Sequence, residues 1–315
     1  MPASAEAPGG AVLGPKGLRA RGAGPRWLEV LATVVASLPT GYKRALGRAV
    51  GWVAGSLLRY RRVHVEQAMR IAGIVGPGTC ARLVYRELGI SMVEVLSLGS
   101  AAEPGPGVAG APVVVDPDSE RRWREARALG RGVVIAGTHT GNWDLAACTM
   151  ARDVELLVVN KRLGVRWLDR FWQATRARRG VRLAYADGAF AAARRVLRSG
   201  GVVVLMIDQV PIARRHASEV VFLGRPALTD RSPAALAVAT GAPLVVAAAR
   251  RDGSGVQVLH VLDVLLPPAR GRRAWIESAT VAATEALDRF VRAYPDQWLW
   301  LHRRWGEPRP RPGTG

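Results

Sequence analysis

Cysteine is scarce in this sequence of 315 residues, which contains only Cys80 and Cys148. Two cysteines cannot build a disulfide framework or a cysteine-based zinc site. The five histidines lack the spacing of metal ligands, so we expect no metal and no bound cofactor. The low cysteine content also fits a reducing compartment.

Long apolar runs are also missing. The apolar stretch from Trp27 to Pro39 is about two turns shorter than a membrane-spanning helix requires, and it contains Glu29. Residues 1–25 are rich in Gly, Pro and Ala, and they lack the apolar core of a signal peptide. We therefore expect a disordered N-terminal tail, no signal peptide and no transmembrane helix.

Several nucleotide-binding and catalytic motifs are absent as well. There is no Walker A sequence, and the lack of a G-x-S-x-G motif weighs against a serine hydrolase. The segment GPGVAG (105–110) matches a dinucleotide fingerprint, but it lies in a proline-rich break with no strand before it. The C-terminal Trp and Arg residues form no recognised nucleic-acid-binding motif, so no nucleic-acid partner is expected.

Acidic residues are few compared with basic ones: 25 Asp and Glu against 45 Lys and Arg, a formal net charge of +20. Such a charge attracts polyanions, including anionic lipid headgroups, nucleic acid or an acidic carrier protein. Because the chain is also rich in alanine, coding bias can account for part of the excess. The charge by itself therefore indicates an anionic partner without identifying it.

The first third of the chain is predicted to be helical. Residues 27–60 read as two amphipathic helices with basic edges around LPTGYKR, and another helical pattern covers 79–98. Amphipathic helices of this kind lie at a membrane interface or cap the core of a soluble domain. The following segment GSAAEPGPGVAGAP (99–112) is expected to be a linker or loop.

From residue 113 onward, short apolar runs alternate with helical patterns. The strands are predicted at 132–138, 154–159, 201–207, 242–249 and 256–264. The helices are predicted near 117–129, 142–152, 164–179, 188–199, 231–240 and 273–294. This alternation predicts an α/β fold with a central, largely parallel, mixed sheet flanked by helices, in which function lies at the C-terminal ends of the strands.

We expect one domain over residues 26–310. It would comprise a helical, membrane-proximal part (26–100) and an α/β catalytic part (111–310), followed by a short tail at 311–315.

The segment GTHTGNWDLAA (137–147) carries the strongest candidate site. His139 would lie on a loop at a strand end, Asn142 would cap the next helix, and Asp144 would lie in its first turn. The carboxylate of Asp144 could then reach one ring nitrogen and orient His139 as a general base. Gly141 would let a substrate approach, and the helix start would offer N–H groups to an oxyanion. Chance proximity is the alternative, since Asp is common in a helix's first turn.

A base without a neighbouring Ser or Cys nucleophile implies that a substrate hydroxyl attacks directly. His139 would take the hydroxyl proton while the attacked carbonyl becomes an oxyanion. Acyl transfer from a thioester to an alcohol is the natural candidate reaction.

The segment HTGNWD (139–144) resembles the H-x4-D/E motif of the glycerophospholipid acyltransferase superfamily. IDQVP (207–211), VVFLGRPALTDRSPAALAVATGAPLVVAAARR (220–251) and YPDQWLWLHRRW (294–305) follow in the order and spacing of the bacterial late acyltransferases of lipid A. The sequence is similar also to phosphatidylinositol mannoside acyltransferases. The resemblance covers roughly residues 25–310.

This resemblance implies a peripheral enzyme at the cytoplasmic face of the inner membrane. It would transfer a fatty acyl chain from an acyl carrier protein or coenzyme A thioester to a hydroxyl of a glycolipid or phospholipid, with lipid A-type acylation favoured. His139 would be the general base and Asp144 its orienting partner. Arg176 and Arg178 would contact phosphates of the donor or acceptor, or the oxyanion.

Other residues are expected to contact substrate. Asp208 follows a buried-looking strand and would face the site, the alternative being a structural turn role. A turn at Gly224–Arg225 would place Arg225 and Thr229 near the acceptor. Arg303, with Arg304, could hold an anionic headgroup. The aromatic residues near the C-terminus are expected to pack the domain or rest on the membrane interface, and His302 is expected to be structural.

Two other functions stay open at this stage. A catalytically inactive binder of anionic lipid or polyanions could use the same scaffold, although the intact His and Asp argue against it. An acyl-thioesterase would pass the acyl group to water instead of a lipid. The acceptor, the acyl chain length, the donor and the oligomeric state are left open by the sequence.

Overall fold

The computed structural model describes residues 25–100, 113–185, 188–211 and 214–306. The predicted N-terminal tail before residue 25, residues 101–112 of the predicted linker and the predicted C-terminal tail lie outside the described residues.

A seven-stranded sheet forms the centre of the α/β part, and a two-stranded hairpin stands apart from it. The strands in chain order are β1 (Val113–Val115), β2 (Val133–Gly137), β3 (Leu156–Asn160), β4 (Arg182–Tyr185), β5 (Val202–Met206), β6 (Ala217–Phe222), β7 (Arg225–Asp230), β8 (Leu244–Arg251) and β9 (Gln257–Leu265). The order in the large sheet is β1-β9-β8-β2-β5-β3-β4. Every pairing is parallel except β8 with β9, so the predicted largely parallel, mixed sheet is confirmed.

The register of the central strands brings distant residues together. Gly137 at the end of β2 pairs with Met206 at the end of β5, and also with Ala247 of β8. Because β2 and β5 are parallel and end level with each other, the residues two positions further along each chain meet at one edge. Those residues are His139 and Asp208.

Helices cover both faces of the sheet and make up the N-terminal part. They are α1 (Arg26–Ser37), α2 (Thr40–Trp52, continued by a π-helical turn), α3 (Arg62–Ile71), α4 (Pro77–Leu98), α5 (Pro117–Ala128), α6 (Trp143–Met150), α7 (Arg166–Arg178), α8 (Ala189–Arg198), α9 (Ser232–Thr240) and α10 (Arg272–Ala293). The six predicted helices of the α/β part are all present. Local signals account for several starts; for example, the Asp116 side chain accepts a hydrogen bond from Ser119 N at the start of α5.

The N-terminal helices pack on α4 and leave apolar side chains exposed. Helix α1 buries Leu28, Ala32 and Val35, whereas Trp27 and Val34 on its other face are more than half exposed. Helix α2 crosses α4 closely at Gly51, where an added Cβ would lie 2.2 Å from Tyr85 O. In the part of the chain that the structure describes, no helix combines the length and hydropathy needed to span a membrane.

The elements that were not predicted are short or lack a strong pattern. Strands β1 and β4 have three and four residues, too few for an alternation to stand out. The β6–β7 hairpin has one exposed face, and its turn, predicted at Gly224–Arg225, falls at Leu223 and Gly224, both with positive φ. Helix α3 follows directly after a basic segment and has a polar composition.

Candidate active site

A cavity of about 640 Å³ opens beside the C-terminal ends of β2, β5 and β3. Its polar end is lined by His139, Asp144, Asn160, Arg176 and Gln209. The rest runs between α6 and the sheet, along apolar side chains that include Ile135, Ala147, Met150, Val158, Val204 and Val245. A largely apolar cavity with a few converging polar groups is the usual form of a small-molecule site.

The loop between β2 and α6 is held from two sides. Asn142 caps α6, because its Oδ1 accepts a hydrogen bond of 3.0 Å from Leu145 N, as predicted. The C-terminal segment then pairs with the loop: Gly141 N donates to Gln297 O and Leu299 N donates to His139 O, each at 3.0 Å. The backbone at His139 is therefore fixed by a local helix cap and by the distant C-terminal segment.

Gly141 serves this packing and not the approach of a substrate, which corrects the expectation. Its φ is +58°, and a Cβ there would lie 2.8 Å from Gln257 Oε1 and 2.9 Å from the Ala249 carbonyl. Both the conformation and the space favour glycine at this position.

His139 has a carboxylate partner, and that partner is Asp208. His139 Nδ1 lies 2.8 Å from Asp208 Oδ1, and His139 N donates to Asp208 Oδ2 at 2.8 Å. The sequence predicted that Asp144 would contact the ring, whereas both oxygens of Asp144 bond to other groups. Asp208 lies beside the predicted base, but it is buried and does not occur among the described residues that line the cavity, so its expected contact with substrate has no support from the geometry. The catalytic roles of these residues stay predictions.

Asp208 is held as an anion inside the protein. It is 2% exposed, and its Oδ2 accepts further hydrogen bonds from Thr138 Oγ1 at 3.0 Å and Trp298 Nε1 at 2.8 Å. Burial alone would raise the pKa of Asp208. The charge of the facing His139 and the hydrogen bonds from His139 and Trp298 outweigh burial and hold this pKa well below its usual value. A charged carboxylate can fix the Nδ1–H tautomer and leave Nε2 to accept a proton.

Asp144 forms a separate ionic centre between α6 and α7. Its Oδ1 accepts a hydrogen bond from Arg176 Nε at 2.6 Å and lies 2.5 Å from Nη2 in the same ion pair, and its Oδ2 accepts from Trp172 Nε1 at 3.0 Å. Arg176 Nη1 donates in addition to Asn160 Oδ1 at 3.0 Å. The side chains of Asp144 and Arg176 are 3% and 13% exposed. Their ion pair brings two predicted site residues together at the cavity and joins helices α6 and α7.

A buried polar network supports the loop from behind. Arg251 of β8 donates to Glu94 of α4 through both Nη atoms at 2.7 Å, and to Glu87 at 3.0 Å. Glu94 Oε2 also accepts from Asn142 Nδ2 at 2.8 Å. Glu94 accepts hydrogen bonds from both Arg251 and Asn142. This one carboxylate therefore links helix α4 to the loop that carries His139. Sequence reasoning missed this network, since its members are far apart in the chain.

Other predicted binding residues lie away from the cavity. Among the described residues that line it, Arg178, Arg225, Thr229 and Arg303 do not occur. Arg178 donates to Gly99 O at 2.8 Å, and Arg225 stacks at 5.9 Å over Trp305. Thr229 is fully buried and accepts from Arg304. Arg303 is exposed. The expected contacts of these four residues with substrate therefore have no support from the geometry.

The C-terminal aromatics pack the domain, as expected. Trp298 and Trp300 are 1% and 0% exposed, and their rings meet edge to face at 4.7 Å. Arg304, expected to hold a headgroup, is buried and donates to Leu228 O and Thr229. His302 is partly buried, and burial lowers its pKa to about 4, which fits a neutral structural histidine.

Two cations at the cavity mouth were not predicted. Lys161 and Arg162 line the mouth directly after β3, and Arg162 stacks 3.8 Å above the Tyr185 ring. The Tyr185 hydroxyl donates a hydrogen bond to Asp169. Asp169 also accepts a hydrogen bond from Leu163 N, directly after Arg162. The sequence signal that could have identified Lys161 and Arg162 is their position directly after a parallel strand.

Residues 116–307 match the model of the bacterial lipid A biosynthesis acyltransferase family. A phosphatidylinositol mannoside acyltransferase of Mycobacterium tuberculosis is 33% identical over 192 residues, which cover 57% of this chain and 56% of that protein. The protein of the same name from Mycolicibacterium smegmatis is 29% identical over 213 residues, covering 62% of this chain and 66% of that protein. The match thus spans little more than half the length of the first of these relatives.

Proposed function

The chain belongs to the bacterial lipid A biosynthesis acyltransferase family, and on this premise we propose that it transfers a fatty acyl group from a thioester to a hydroxyl of a glycolipid or phospholipid. The donor is an acyl carrier protein or coenzyme A thioester. The family name points to lipid A and the relatives' names point to phosphatidylinositol mannoside, and both acceptors are glycolipids. Lipid A-type acylation is the form we favour.

The observation that carries the proposal is the contact between His139 Nδ1 and Asp208 at the mouth of an apolar cavity. With Nδ1–H donated to Asp208, Nε2 accepts the proton of the acceptor hydroxyl as its oxygen attacks the thioester carbonyl. The tetrahedral intermediate then expels the thiolate as the C–S bond breaks. The His139 imidazolium returns its proton to the sulfur.

In this proposal the acyl chain occupies the apolar slot between α6 and the sheet. The slot begins beside His139 and continues past Trp123 and past Val261 of β9 to Val113 of β1, the strand three places away from β2 in the sheet order. Neighbouring strands are about 4.8 Å apart, so the slot extends on the order of 14 Å sideways from the base. Lys161 and Arg162 at the mouth suit the phosphates of a pantetheine-bearing donor.

We place the protein at an anionic membrane surface through a patch that borders the cavity. This interfacial patch consists of Trp27 and Val34 on α1 with Leu163, Val165 and Trp167, all exposed. The rings of Trp27 and Trp167 meet at 5.8 Å, and Leu163 also lines the cavity mouth. Arginines flank the patch, so apolar insertion and charge attraction act together.

Membrane binding is tested by sedimentation with vesicles of phosphatidylglycerol or phosphatidylcholine. We expect salt-sensitive binding to the anionic vesicles, weakened in the double variant Trp27→Ser, Trp167→Ser. The variant Val221→Ser, which changes an exposed apolar residue on β6, is the control. Equal binding by both variants would remove the patch from the proposal.

The catalytic proposal is tested by following a labelled acyl chain from coenzyme A or carrier-protein thioesters to lipid extracts, with mass spectrometry of the products. We expect an acylated glycolipid, and a loss of about 10²- to 10⁴-fold in His139→Ala. The exposed His216, on a turn outside the cavity, provides the control variant His216→Ala. Release of free fatty acid despite added acceptor would indicate a thioesterase, and no thioester consumption would indicate a binding protein.

A further inference from the structure

We propose that Trp298 is a positioning residue for the proton transfer: its indole N–H holds the Asp208 carboxylate in the orientation that receives Nδ1–H of His139. This inference rests on the proposed function. It assigns a role to one aromatic residue of the C-terminal segment, where packing or contact with the membrane interface was expected.

The hydrogen bonds of Asp208 divide between its two oxygens. Oδ1 faces His139 Nδ1 at 2.8 Å, while Oδ2 accepts from Thr138 Oγ1, His139 N and Trp298 Nε1. Thr138 and His139 N belong to the loop that carries the base. Trp298 is therefore the donor to Oδ2 that comes from outside that loop, and it opposes rotation of the carboxylate relative to the loop.

Trp298 is itself rigidly placed. Its ring packs edge to face against Trp300 at 4.7 Å and against Phe222 at 5.4 Å. Its backbone forms a β-bridge with Thr140, next to His139 in sequence. One residue thus pairs with the loop through its main chain and with Asp208 through its side chain, so the base and its carboxylate share a single support.

The chemistry of indole suits this role. The Trp side chain is a donor only and does not titrate, so it can neither take the proton from Asp208 nor relay one. A charge-assisted hydrogen bond to a buried carboxylate also favours the ionised form. Asp208 then stays charged, and the His139 tautomer with a free Nε2 is maintained.

Trp300 offers a matched comparison two residues away. It is as deeply buried as Trp298, but its Nε1 donates to Pro295 O, a neutral carbonyl, at 2.6 Å. Replacing either indole by phenyl removes one N–H and a similar volume. Only the change at Trp298 removes a hydrogen bond from the carboxylate that orients the base.

The test compares Trp298→Phe with Trp300→Phe in acyl-transfer assays at saturating and limiting donor. We expect kcat to fall roughly 10- to 100-fold in Trp298→Phe, as for loss of a hydrogen bond to a charged group, with KM for the donor unchanged. Trp300→Phe should keep kcat within about threefold, because its acceptor is neutral. Equal losses in the two variants, or a change confined to KM, would overturn the inference.

Two further measurements do not depend on the folding of Trp298→Phe, and the first of them does not depend on activity. The indole ¹H–¹⁵N spectrum of the wild type should contain a downfield resonance for Trp298, which moves upfield in Asp208→Asn because the acceptor loses its charge. Benzothienylalanine at position 298, which keeps the ring volume without the N–H, should show the same kcat loss. An unmoved indole resonance in Asp208→Asn would overturn the inference.

The two proposals fail in different ways. If the wild type transfers no acyl group, or if His139→Ala is fully active, the proposed function fails whatever the indole spectrum shows. If the wild type is active and His139→Ala is not, while Trp298→Phe keeps its kcat, only the positioning role fails.

Discussion

Two buried carboxylates lie at the cavity, and they differ in the partner each one has. Asp208 and Asp144 are both 2% exposed, and each accepts a hydrogen bond from a tryptophan N–H. Asp208 faces a histidine, the side-chain type that most often transfers protons in enzymes, whereas Asp144 faces an arginine, whose planar guanidinium suits a fixed ion pair. The same residue type is thus suited to proton transfer in one place and to fixed positioning of helices in the other.

The largest expected effect comes from Asp208. In Asp208→Asn the amide can no longer stabilise an imidazolium or hold the correct tautomer, so we expect kcat to fall by about 10⁴-fold, as in other histidine–aspartate pairs. The change is measured by single-turnover acyl transfer, with circular dichroism as the control for folding. A folded Asp208→Asn protein that retains wild-type kcat would mean that the His139–Asp208 contact is not catalytic.

The second prediction concerns Asp144 and distinguishes stability from chemistry. Asp144→Asn leaves Arg176 without its partner, so we expect a loss of about 3 kcal/mol in the free energy of unfolding, measured by urea denaturation. The double variant Asp144→Asn, Arg176→Gln should regain part of this loss, because no unpaired charge is left. A folded Asp144→Asn protein with unchanged stability and no activity would instead support the catalytic role predicted from the sequence.

The third prediction follows from the pairing of Arg176 with Asp144, which leaves donor phosphates to Lys161 and Arg162. In Arg162→Gln we expect KM to rise about 10-fold for coenzyme A thioesters, the effect of losing a charge-assisted hydrogen bond. The N-acetylcysteamine thioester, which has no phosphate, should show no change. Arg170→Gln, an exposed arginine on α7, is the control. Equal KM changes with both thioesters would contradict phosphate binding by Arg162.

Acid stability distinguishes Asp208 from its neutral neighbour His302. Burial lowers the pKa of His302 from 6.5 to about 4, so the unfolded chain binds more protons between these values. Stability should fall as the pH drops through this window, by at most about 1.4 kcal/mol per pH unit. The pKa of Asp208 is lowered from 3.8, so its stabilising contribution is present above pH 3.8 and is lost only at more acid pH.

Thermal unfolding at several pH values measures this slope. His302→Gln should flatten the loss between pH 6.5 and 4, whereas the exposed His216→Gln should leave it unchanged. An unchanged slope in His302→Gln would show that another group binds the protons.

The α/β architecture followed from the sequence because its strands are buried on both faces and its helices carry strong periodic patterns. Residues 133–137 and 202–206 show this well: both are short apolar runs, and both are strands. The position of His139 on a loop after a strand, and the capping of α6 by Asn142, were likewise readable, since both depend on neighbours within a few residues. Such short-range features depend only on residues that are close together in the sequence.

Which carboxylate His139 faces was decided only by the tertiary structure. The sequence favoured Asp144 because it lies five residues from His139, but an α-helical first turn directs that side chain toward α7 and Arg176. Asp208 is 69 residues away, and only the in-register parallel pairing of β2 with β5 brings it to the ring. Trp298, a further 90 residues along, reaches the same carboxylate because the C-terminal segment folds back onto the loop. Sequence proximity reports local backbone geometry, whereas strand register determines which distant side chains share a site.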